Sequence, residues 1–400
     1  MRPVPYMHRS LIVLVLALLG ACASRPVSVV MPEKPERGVA DLTPISGSGD
    51  SSWRVSARAD GHSRPVAPLV NSVRRDVNST ASSPRLGVGT LSVMSVNQEP
   101  TAELLDAAEG PAILRAQVLL DRVHFSSGVL NGKFGQNLSK AVYFFQQEQS
   151  IAATGHLNPA TYHRLAEVAG AAPAVVKYAI TDRDVAGPYY WIPSSVYEQE
   201  KLPCECYASA VEMLDERFHT VTDVLRQLNP GVNFANLRPG LELWVPNVER
   251  FDAEKLARTS QTPAIARIHV AKDGRYVHAL AADGSILFHF PTTVGSQYDP
   301  SPSGIYRVEG VRWHPVFHYD PTLYSDVPDV RPKATLPPGP NSPVGVVWIA
   351  TTKEHVGIHG TPLPHTIGLA SSHGCVRLTN WDAARLAARV TPGVTIEFVK

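Results

Sequence analysis

The sequence predicts an α+β protein of several domains that ends in a mostly antiparallel β domain. Three observations predict this fold class. Residues 111–172 carry apolar side chains at helical spacing, residues 200–248 combine two short helices with a strand, and residues 262–400 alternate short apolar strands with turn signals. A chain of 400 residues also exceeds the size at which single hydrophobic cores usually stop growing. The net charge of +1 gives no reason to expect a nucleic-acid partner.

Residues 111–172 predict three short helices joined by loops. The first starts at Pro111, and Asn158-Pro159 opens the third with an Asn N-cap and a Pro at the first helical position. The stripe expected to be buried on the second helix is Leu138, Ala141, Val142 and Phe145. With the loops Asn131-Gly132-Lys133-Phe134-Gly135 and Thr154-Gly155-His156-Leu157, this pattern resembles the small peptidoglycan-binding domain often fused to cell-wall enzymes. Another small helical bundle is the alternative.

Residues 200–248 predict two short helices and a closing strand. Ser209 is the expected N-cap of the first helix and Thr220 of the second, and Pro239-Gly240 predicts the turn into the strand. This order resembles a LysM module, a fold of two helices and two strands that binds wall glycan. The usual first strand is missing, and Cys204-Glu205-Cys206 stands in its place. Glycan binding and a purely supporting role therefore both stay open.

Residues 1–21 have the features of an export signal. Arg2 and Arg9 give a basic start, and the apolar run 11–19 is shorter than the roughly 20 residues of a membrane span. The following Leu19-Gly20-Ala21-Cys22 resembles the lipobox of bacterial lipoproteins, which implies a lipid on Cys22. Plain cleavage near Ala21 is the alternative.

Lipidation would make a membrane the partner of this chain through a lipid anchor. In lipoproteins, a residue such as Ala23 after the lipidated cysteine implies the periplasmic side of the outer membrane. Residues 22–110 show no sustained period and are rich in Ser, Pro and Gly, so they predict a disordered tether.

The other cysteines are Cys204, Cys206 and Cys375. Cys204 and Cys206 are close enough only for a strained bridge, and as two ligands they would make a weak metal site. Cys375 then stands alone, and a lone thiol in an exported protein indicates a reactive cysteine.

Residues 262–400 predict the β domain. Lys272-Asp273-Gly274 lies between the apolar runs 265–270 and 276–280, which is a hairpin signal, and Asp283-Gly284 predicts a second hairpin. Further apolar runs lie at 344–350 and 394–399. A late helix is expected to open at Thr379, with Asp382 in a capping-box position.

Two short segments of this domain carry the chemistry: His359-Gly360-Thr361 and Ser371-Ser372-His373-Gly374-Cys375-Val376-Arg377-Leu378-Thr379-Asn380. A thiol is a good nucleophile only as a thiolate, so Cys375 needs a base, and His359 closes a predicted strand from which it could act. We expect Cys375 just before a helix N-terminus, whose dipole favours negative charge. Gly374 would let a substrate carbonyl approach backbone N–H groups.

This stretch matches the active-site signature of the L,D-transpeptidase (YkuD-type) family. The segments 290–295, 302–304 and 336–343 also look like that family. The resemblance implies that Cys375 attacks the carbonyl of the third residue of a stem tetrapeptide, releases D-alanine and forms a thioester. It further implies that His359 is the base, oriented by the carbonyl of Gly360.

The resemblance also assigns neighbouring residues. His373 would support the thiol or serve only the fold. Arg377 would order the site or hold a substrate carboxylate, with an ordinary surface ion pair as the alternative, and Ser372 would contact substrate. His355 and His365 are expected to be loop histidines.

Several functions remain open. The first is transpeptidation, with stem peptides and glycan as partners and an amine, including that of an acceptor lipoprotein, as the acceptor. The second is hydrolysis at the same site, as in an L,D-carboxypeptidase, and the third is a wall-binding lipoprotein without activity. A metallopeptidase is disfavoured because no His-Glu-x-x-His motif is present. We expect no cofactor and no metal, and we expect acylation by a carbapenem.

Overall fold

The computed structural model describes residues 90–98, 100, 109–258, 265–324 and 330–400. The predicted signal peptide, the predicted lipidation site Cys22 and most of the predicted tether lie outside these residues. In the part of the chain that is described, no helix combines the length and the apolar character needed to cross a membrane.

The end of the predicted tether is ordered, so the prediction of disorder is wrong for residues 90–98. They contain a short helix, α1 (Val93–Asn97). Leu91 and Val96 are buried in a cluster with side chains of the two units that follow. Burial of these two side chains and two hydrogen bonds between Asn97 and Val175 oppose the entropy cost of ordering the segment, although its surroundings in the sequence are polar.

Three helices then form the predicted helical domain. They are α2 (Pro111–Arg122), α3 (Gln136–Glu148) and α4 (Pro159–Ala169). The predicted cap of α4 is confirmed, because Asn158 Oδ1 accepts a hydrogen bond from Thr161 N–H at 2.9 Å. The predicted stripe of α3 is buried, and its core continues into the catalytic sheet through Ala271 and Tyr276. The domain is therefore packed against the part of the chain that carries the chemistry.

The unit that follows the helical domain begins before residue 200 and contains the first strand that was missing from residues 200–248. Strand β1 (Val175–Ala179) pairs antiparallel with β2 (Glu242–Pro246). Between them lie the helices α5 (Asp182–Val185), α6 (Val196–Gln199), α7 (Ala210–Arg217) and α8 (Thr222–Leu228). The predicted boundary at residue 200 and the missing strand are therefore wrong. The strand was hidden because a stretch rich in Pro and aromatic residues separates it from α7.

The N-cap predicted for α8 is also wrong, whereas Ser209 caps α7 as predicted. Helix α8 has Val221 as its N-cap. The Thr220 hydroxyl instead donates to the Leu130 carbonyl at 2.7 Å. The helical domain thus supplies an acceptor that the local sequence pattern could not reveal.

Cys204 and Cys206 form a disulfide, so neither thiol is available as a metal ligand. Glu205 between them donates its N–H to the Pro338 carbonyl at 3.0 Å and accepts from Asn341 N–H at 2.9 Å. The bridged turn is therefore hydrogen-bonded to the catalytic domain.

The predicted mostly antiparallel β domain is confirmed by an eight-stranded sheet among the described residues. In spatial order its strands are β11 (Val376–Arg377), β10 (Gly357–His359), β9 (Val347–Thr351), β6 (Gly304–Trp313), β12 (Thr395–Val399), β3 (Arg267–Ala271), β4 (Tyr276–Leu280) and β5 (Ile286–Pro291). The pairs β10–β11 and β12–β3 are parallel and the other neighbours are antiparallel. Both predicted hairpins, β3–β4 and β4–β5, are present.

One face of this sheet packs on helices and the other on a small hairpin. The helices are α9 (Ala253–Ala257) and α10 (Asn380–Ala387), and the hairpin is β7 (Phe317–Tyr319) with β8 (Ala334–Leu336). Short 3₁₀ turns lie at Pro321–Leu323 and Pro364–Thr366. Ile358 and Val376 face the helices, whereas Trp348 and Cys375 face the hairpin.

A buried charge cluster joins the three units. Asp121 of α2 receives two hydrogen bonds from Arg385 of α10, at 2.9 and 3.1 Å, and contacts His219 Nδ1 at 2.9 Å. Burial alone would raise the pKa of Asp121, but the Arg385 and His219 charges outweigh it and hold this pKa well below its ordinary value. The helical domain, the β1–β2 unit and the catalytic domain are thus fixed to one another.

Candidate active site

Cys375 and His359 are brought together by two neighbouring parallel strands. In the β10–β11 pair, Ile358 lies opposite Val376 and His359 lies opposite Arg377. Because side chains alternate along a strand, His359 and Arg377 share a face with Cys375, which directly precedes β11. The predicted nucleophile, base and cation therefore converge on the face that the β7–β8 hairpin covers.

The Cys375 thiol is held in a closed, apolar setting. The side chain is 1% exposed. Its sulfur accepts the N–H of Gly357 at 3.3 Å and donates to the His355 carbonyl at 3.5 Å. Burial raises the pKa of the Cys375 thiol to about 12, although the Gly357 N–H and the Arg377 charge oppose that shift. The resting thiol is therefore protonated at neutral pH and needs a base to become a thiolate.

His359, the predicted base, has a fixed ring orientation. Its Nδ1–H donates to the Gly360 carbonyl at 2.6 Å, so that Nε2 is the free acceptor of the neutral ring. Among the described residues, Nε2 has no hydrogen-bond partner although it is buried. Burial, assisted by the Arg377 charge, lowers the pKa of His359 to about 3, and Trp348 stacks on its ring at 5.4 Å. The imidazole is thus neutral and fixed at physiological pH.

The turn before Cys375 is built by hydroxyl groups. The Ser372 hydroxyl donates to the Cys375 carbonyl at 2.6 Å and accepts from Gly374 N–H at 3.3 Å. Ser301 donates to the Gly374 carbonyl at 2.8 Å. Ser372 is buried and holds this turn, and its assignment to substrate binding stays a prediction.

Gly374 was expected to let a substrate carbonyl approach backbone N–H groups. Its φ of 110° lies in a region that favours glycine. Its N–H, however, is already engaged by Ser372, so it does not offer an oxyanion donor in this state.

The helix expected after Cys375 opens at Thr379 as predicted, but a short strand lies between it and the cysteine. Strand β11 follows the cysteine, and α10 begins at Asn380 with Thr379 as its N-cap. The strand forms because its backbone has partners on both sides, β10 and Thr293. A helix dipole therefore gives no reason to expect a stabilised thiolate at this sulfur.

His373 and Arg377 lie on either side of the nucleophile. His373 packs edge-on against Tyr324 at 5.4 Å between ring centroids, which ties it to the segment covering the site. Arg377 is buried, so it is not an ordinary exposed surface residue. Its charge acts on both Cys375 and His359, as the pKa of each shows.

Trp348 and Gly357 are site residues that the sequence did not identify. Trp348 lies in an apolar run that is typical of an ordinary core strand, and Gly357 belongs to no recognisable sequence motif. A Cβ at Gly357 would overlap the Trp348 indole, so the stacking on His359 requires glycine there.

We expect Gly357→Ala to destabilise the protein by about 1–3 kcal/mol, because the added methyl group displaces Trp348 from a packed site. Gly310→Ala is the matched control, since Gly310 lies in strand β6 with nothing near its would-be Cβ. Urea unfolding of both variants checks this. Equal midpoints for the two would contradict the packing described here.

In the described part of the chain, no three His, Cys, Asp or Glu side chains form a group that could hold a metal ion.

Comparison with known proteins identifies the class of protein. Residues 265–398 match the family described as "L,D-transpeptidase catalytic domain", and residues 109–165 match the family described as "Putative peptidoglycan binding domain". The chain thus contains an L,D-transpeptidase catalytic domain preceded by a helical domain of the peptidoglycan-binding type. That catalytic family consists of peptidoglycan-modifying enzymes of the cell envelope.

Parts of the chain are similar to individual curated proteins and to solved structures. "Putative L,D-transpeptidase YkuD" of Bacillus licheniformis is 26% identical over 186 residues, which is 46% of this chain and 91% of the relative. "Probable L,D-transpeptidase YbiS" of Escherichia coli strain K12 is 39% identical over 66 residues, 16% of this chain and 21% of the relative. A solved L,D-transpeptidase from Mycobacterium smegmatis aligns at 19% identity over 43% of this chain and 81% of that one, with a TM-score of 0.28.

Proposed function

We propose that this protein is a peptidoglycan L,D-transpeptidase that uses Cys375 as its nucleophile and His359 as its base. The observation that carries the proposal is that strands β10 and β11 place both side chains on one covered face, with His359 Nδ1 bonded to the Gly360 carbonyl. A neutral imidazole with an open Nε2, on the same face as a protonated thiol, fits general-base activation of a cysteine.

In the first half-reaction, the Cys375 sulfur attacks the carbonyl carbon of the third residue of a stem tetrapeptide. The thiol proton passes to His359 Nε2, and the substrate oxygen takes up the negative charge. When the bond to the terminal D-alanine breaks, His359 returns the proton to the departing amine. The product is a thioester between Cys375 and the shortened stem peptide.

In the second half-reaction, an acceptor amine attacks the thioester carbonyl. His359 takes a proton from the amine and returns it to the Cys375 sulfur as the thioester bond breaks, which restores the resting enzyme. The amine of another stem peptide gives a crosslink, and the amine of a protein gives attachment of that protein to the wall. Water in the same position would give hydrolysis.

Closure of the site supports transfer to an amine over hydrolysis. Cys375 and His359 are almost completely buried, and the β7–β8 hairpin and Tyr324 cover the nucleophile. Exclusion of water protects a reactive thioester until an acceptor enters. Arg377, buried beside both groups, serves to stabilise negative charge that develops during attack or to hold a substrate carboxylate.

The other units would hold the enzyme at its substrate. The helical domain supports binding to peptidoglycan. The β1–β2 unit pairs two strands and carries four helices between them, of which α7 and α8 are the two expected of a LysM-like module. This likeness supports glycan binding or a supporting role. A lipid on Cys22 would place the enzyme on the periplasmic side of the outer membrane, and a mass measurement of the N-terminal peptide from cells would test that lipid.

Mass spectrometry of products from purified tetrapeptide muropeptides tests the proposed reaction. A crosslinked dimer or an exchanged terminal D-amino acid would support acyl transfer to an amine. A tripeptide alone would identify a carboxypeptidase, and an unchanged substrate with folded enzyme would refute the proposal.

We expect a carbapenem to acylate the wild-type protein, because its strained β-lactam carbonyl is an activated acyl donor for a thiol. Intact-mass measurement should show one adduct, located on the peptide that contains Cys375. The Cys375→Ala variant is the control and should show none. An adduct elsewhere on the chain would contradict the assignment of the nucleophile.

A further inference from the structure

Glu216 belongs to the β1–β2 unit, yet its carboxyl is buried against the active-site helix. It lies on α7 and is almost inaccessible to solvent. The Tyr207 hydroxyl donates to Oε1 at 2.8 Å, and Asn380 Nδ2 donates to Oε1 at 3.1 Å and to Oε2 at 3.0 Å. A polar group at this depth is retained only with its partners in place. Glu216, a residue of the β1–β2 unit, is therefore an acceptor for the side-chain amide of Asn380.

Hydrogen bonds at both the nitrogen and the oxygen of the Asn380 side-chain amide fix its orientation. The second hydrogen of Nδ2 is directed to the Pro340 carbonyl at 3.0 Å, and Oδ1 accepts from Val346 N–H at 3.3 Å. Rotation of the amide by half a turn would set Nδ2 against the N–H of Val346 and Oδ1 against Glu216. Since buried donors without acceptors are costly, Glu216 and Val346 together select one orientation.

That orientation supports the group that orients the base. Asn380 Oδ1 occupies the space that a Cβ of Gly360 would need, so the amide packs directly on the Gly360 backbone. The carbonyl of Gly360 is the acceptor of His359 Nδ1 at 2.6 Å. A continuous series of contacts thus leads from Glu216 through Asn380 and Gly360 to His359.

We propose that Glu216 is a positioning residue for acyl transfer, which holds the Asn380 amide against Gly360 so that the Gly360 carbonyl orients His359. The expected effect on the rate of acyl transfer rests on the proposed function, whereas the contacts from Glu216 to His359 do not. It makes the folded β1–β2 unit a condition for an ordered base, in addition to any binding to the wall.

Glu216→Ala tests the inference in the full-length protein. We expect kcat for acyl transfer to fall about tenfold or more, with KM within about twofold, because a misplaced base slows the chemical step and leaves binding intact. The proton shared by His359 Nδ1 and Gly360 O should give a downfield NMR resonance, assigned by its absence in His359→Gln. We expect Glu216→Ala to weaken or shift that resonance.

Two further variants separate positioning from stability. Glu216→Gln keeps the length of the side chain and one acceptor oxygen but sets an NH2 group against the Asn380 donor, so it should lose less rate and less of the resonance than Glu216→Ala. Asp184→Asn is the matched control, because Asp184 is a buried carboxyl of the same unit whose partners are Tyr178, Thr181 and Arg217. It should lower the thermal midpoint and leave the resonance unchanged.

Retention of the wild-type resonance and rate in Glu216→Ala would overturn the inference, as would an equal loss of both in Asp184→Asn. If Glu216→Ala does not fold, Glu216→Asp replaces it, because this variant withdraws the carboxyl by one methylene. We expect Glu216→Asp to lose rate and resonance in the same way. Full retention of both in that variant would overturn the inference. If the wild type transfers no acyl group, the proposed function fails, and the resonance still decides the role of Glu216.

Discussion

Replacement of Cys375 by alanine should abolish acyl transfer, with a loss of roughly 10⁴-fold or more, because no other side chain at this site can form the covalent intermediate. The protein should stay folded, since alanine removes one small buried sulfur whose bonds are to the backbone of Gly357 and His355. Product formation from tetrapeptide muropeptides and the thermal unfolding midpoint are the two measurements.

The matched control for this prediction is Cys375→Ser, which keeps the size of the side chain but lowers its nucleophilicity. It should also be inactive. Full activity in either folded variant would refute the assignment of Cys375, whereas inactivity accompanied by unfolding would show that the cysteine is needed for the fold.

His359→Gln should reduce kcat for acyl transfer by about 10²- to 10⁴-fold, the contribution typical of a general base. The glutamine amide has no basic nitrogen, so the loss should come from proton transfer, and an unchanged unfolding midpoint would exclude a collapsed site. The rate of product formation and the unfolding midpoint check this, and a loss of less than about threefold would contradict the role of base.

The pH dependence of thiol alkylation distinguishes a neutral thiol and imidazole from a preformed ion pair. Since the pKa of Cys375 is raised to about 12, the thiolate fraction in the resting wild type should increase about tenfold per pH unit across the range from about 7 to about 9. A plateau below about pH 8 would instead indicate a thiolate–imidazolium pair. At high pH, His359→Gln should be alkylated about as fast as the wild type, because solvent then removes the proton.

Local patterns in the sequence predict much of the fold correctly. Asn158-Pro159, Ser209 and Thr379 each cap the helix that they were expected to cap. The turn Lys272-Asp273-Gly274 joins the hairpin that it predicts. These features depend on residues close together along the chain, which is why they can be recognised without coordinates.

The errors concern contacts between distant parts of the chain. Strand β1 pairs with β2 across a long intervening segment, so no neighbouring residue marks it as a strand. The Thr220 hydroxyl is used by Leu130 of another unit, and the short strand after Cys375 exists because Thr293 pairs with Arg377. Tertiary context outweighs local preference at each of these places.

In the candidate site, too, the sequence motif was recognisable and the contacts between distant segments were not. The motif identified Cys375 and His359, and the structure puts them on one face. Neither the stacking of Trp348 nor the link from Glu216 to Asn380 could be recognised, because a core tryptophan and a helix glutamate look ordinary in sequence. Asn380 was visible at the end of the motif, but its partner lies in another unit.

The most direct measurement is peptide mass spectrometry of the wild-type enzyme mixed with a disaccharide-tetrapeptide and no amine acceptor, quenched before hydrolysis. The peptide that contains Cys375 should gain the mass of the donor less its terminal D-alanine, and one equivalent of D-alanine should appear. Release of D-alanine without an adduct on Cys375, or equal release by the Cys375→Ala variant, would contradict the central claim that this thiol carries the acyl group.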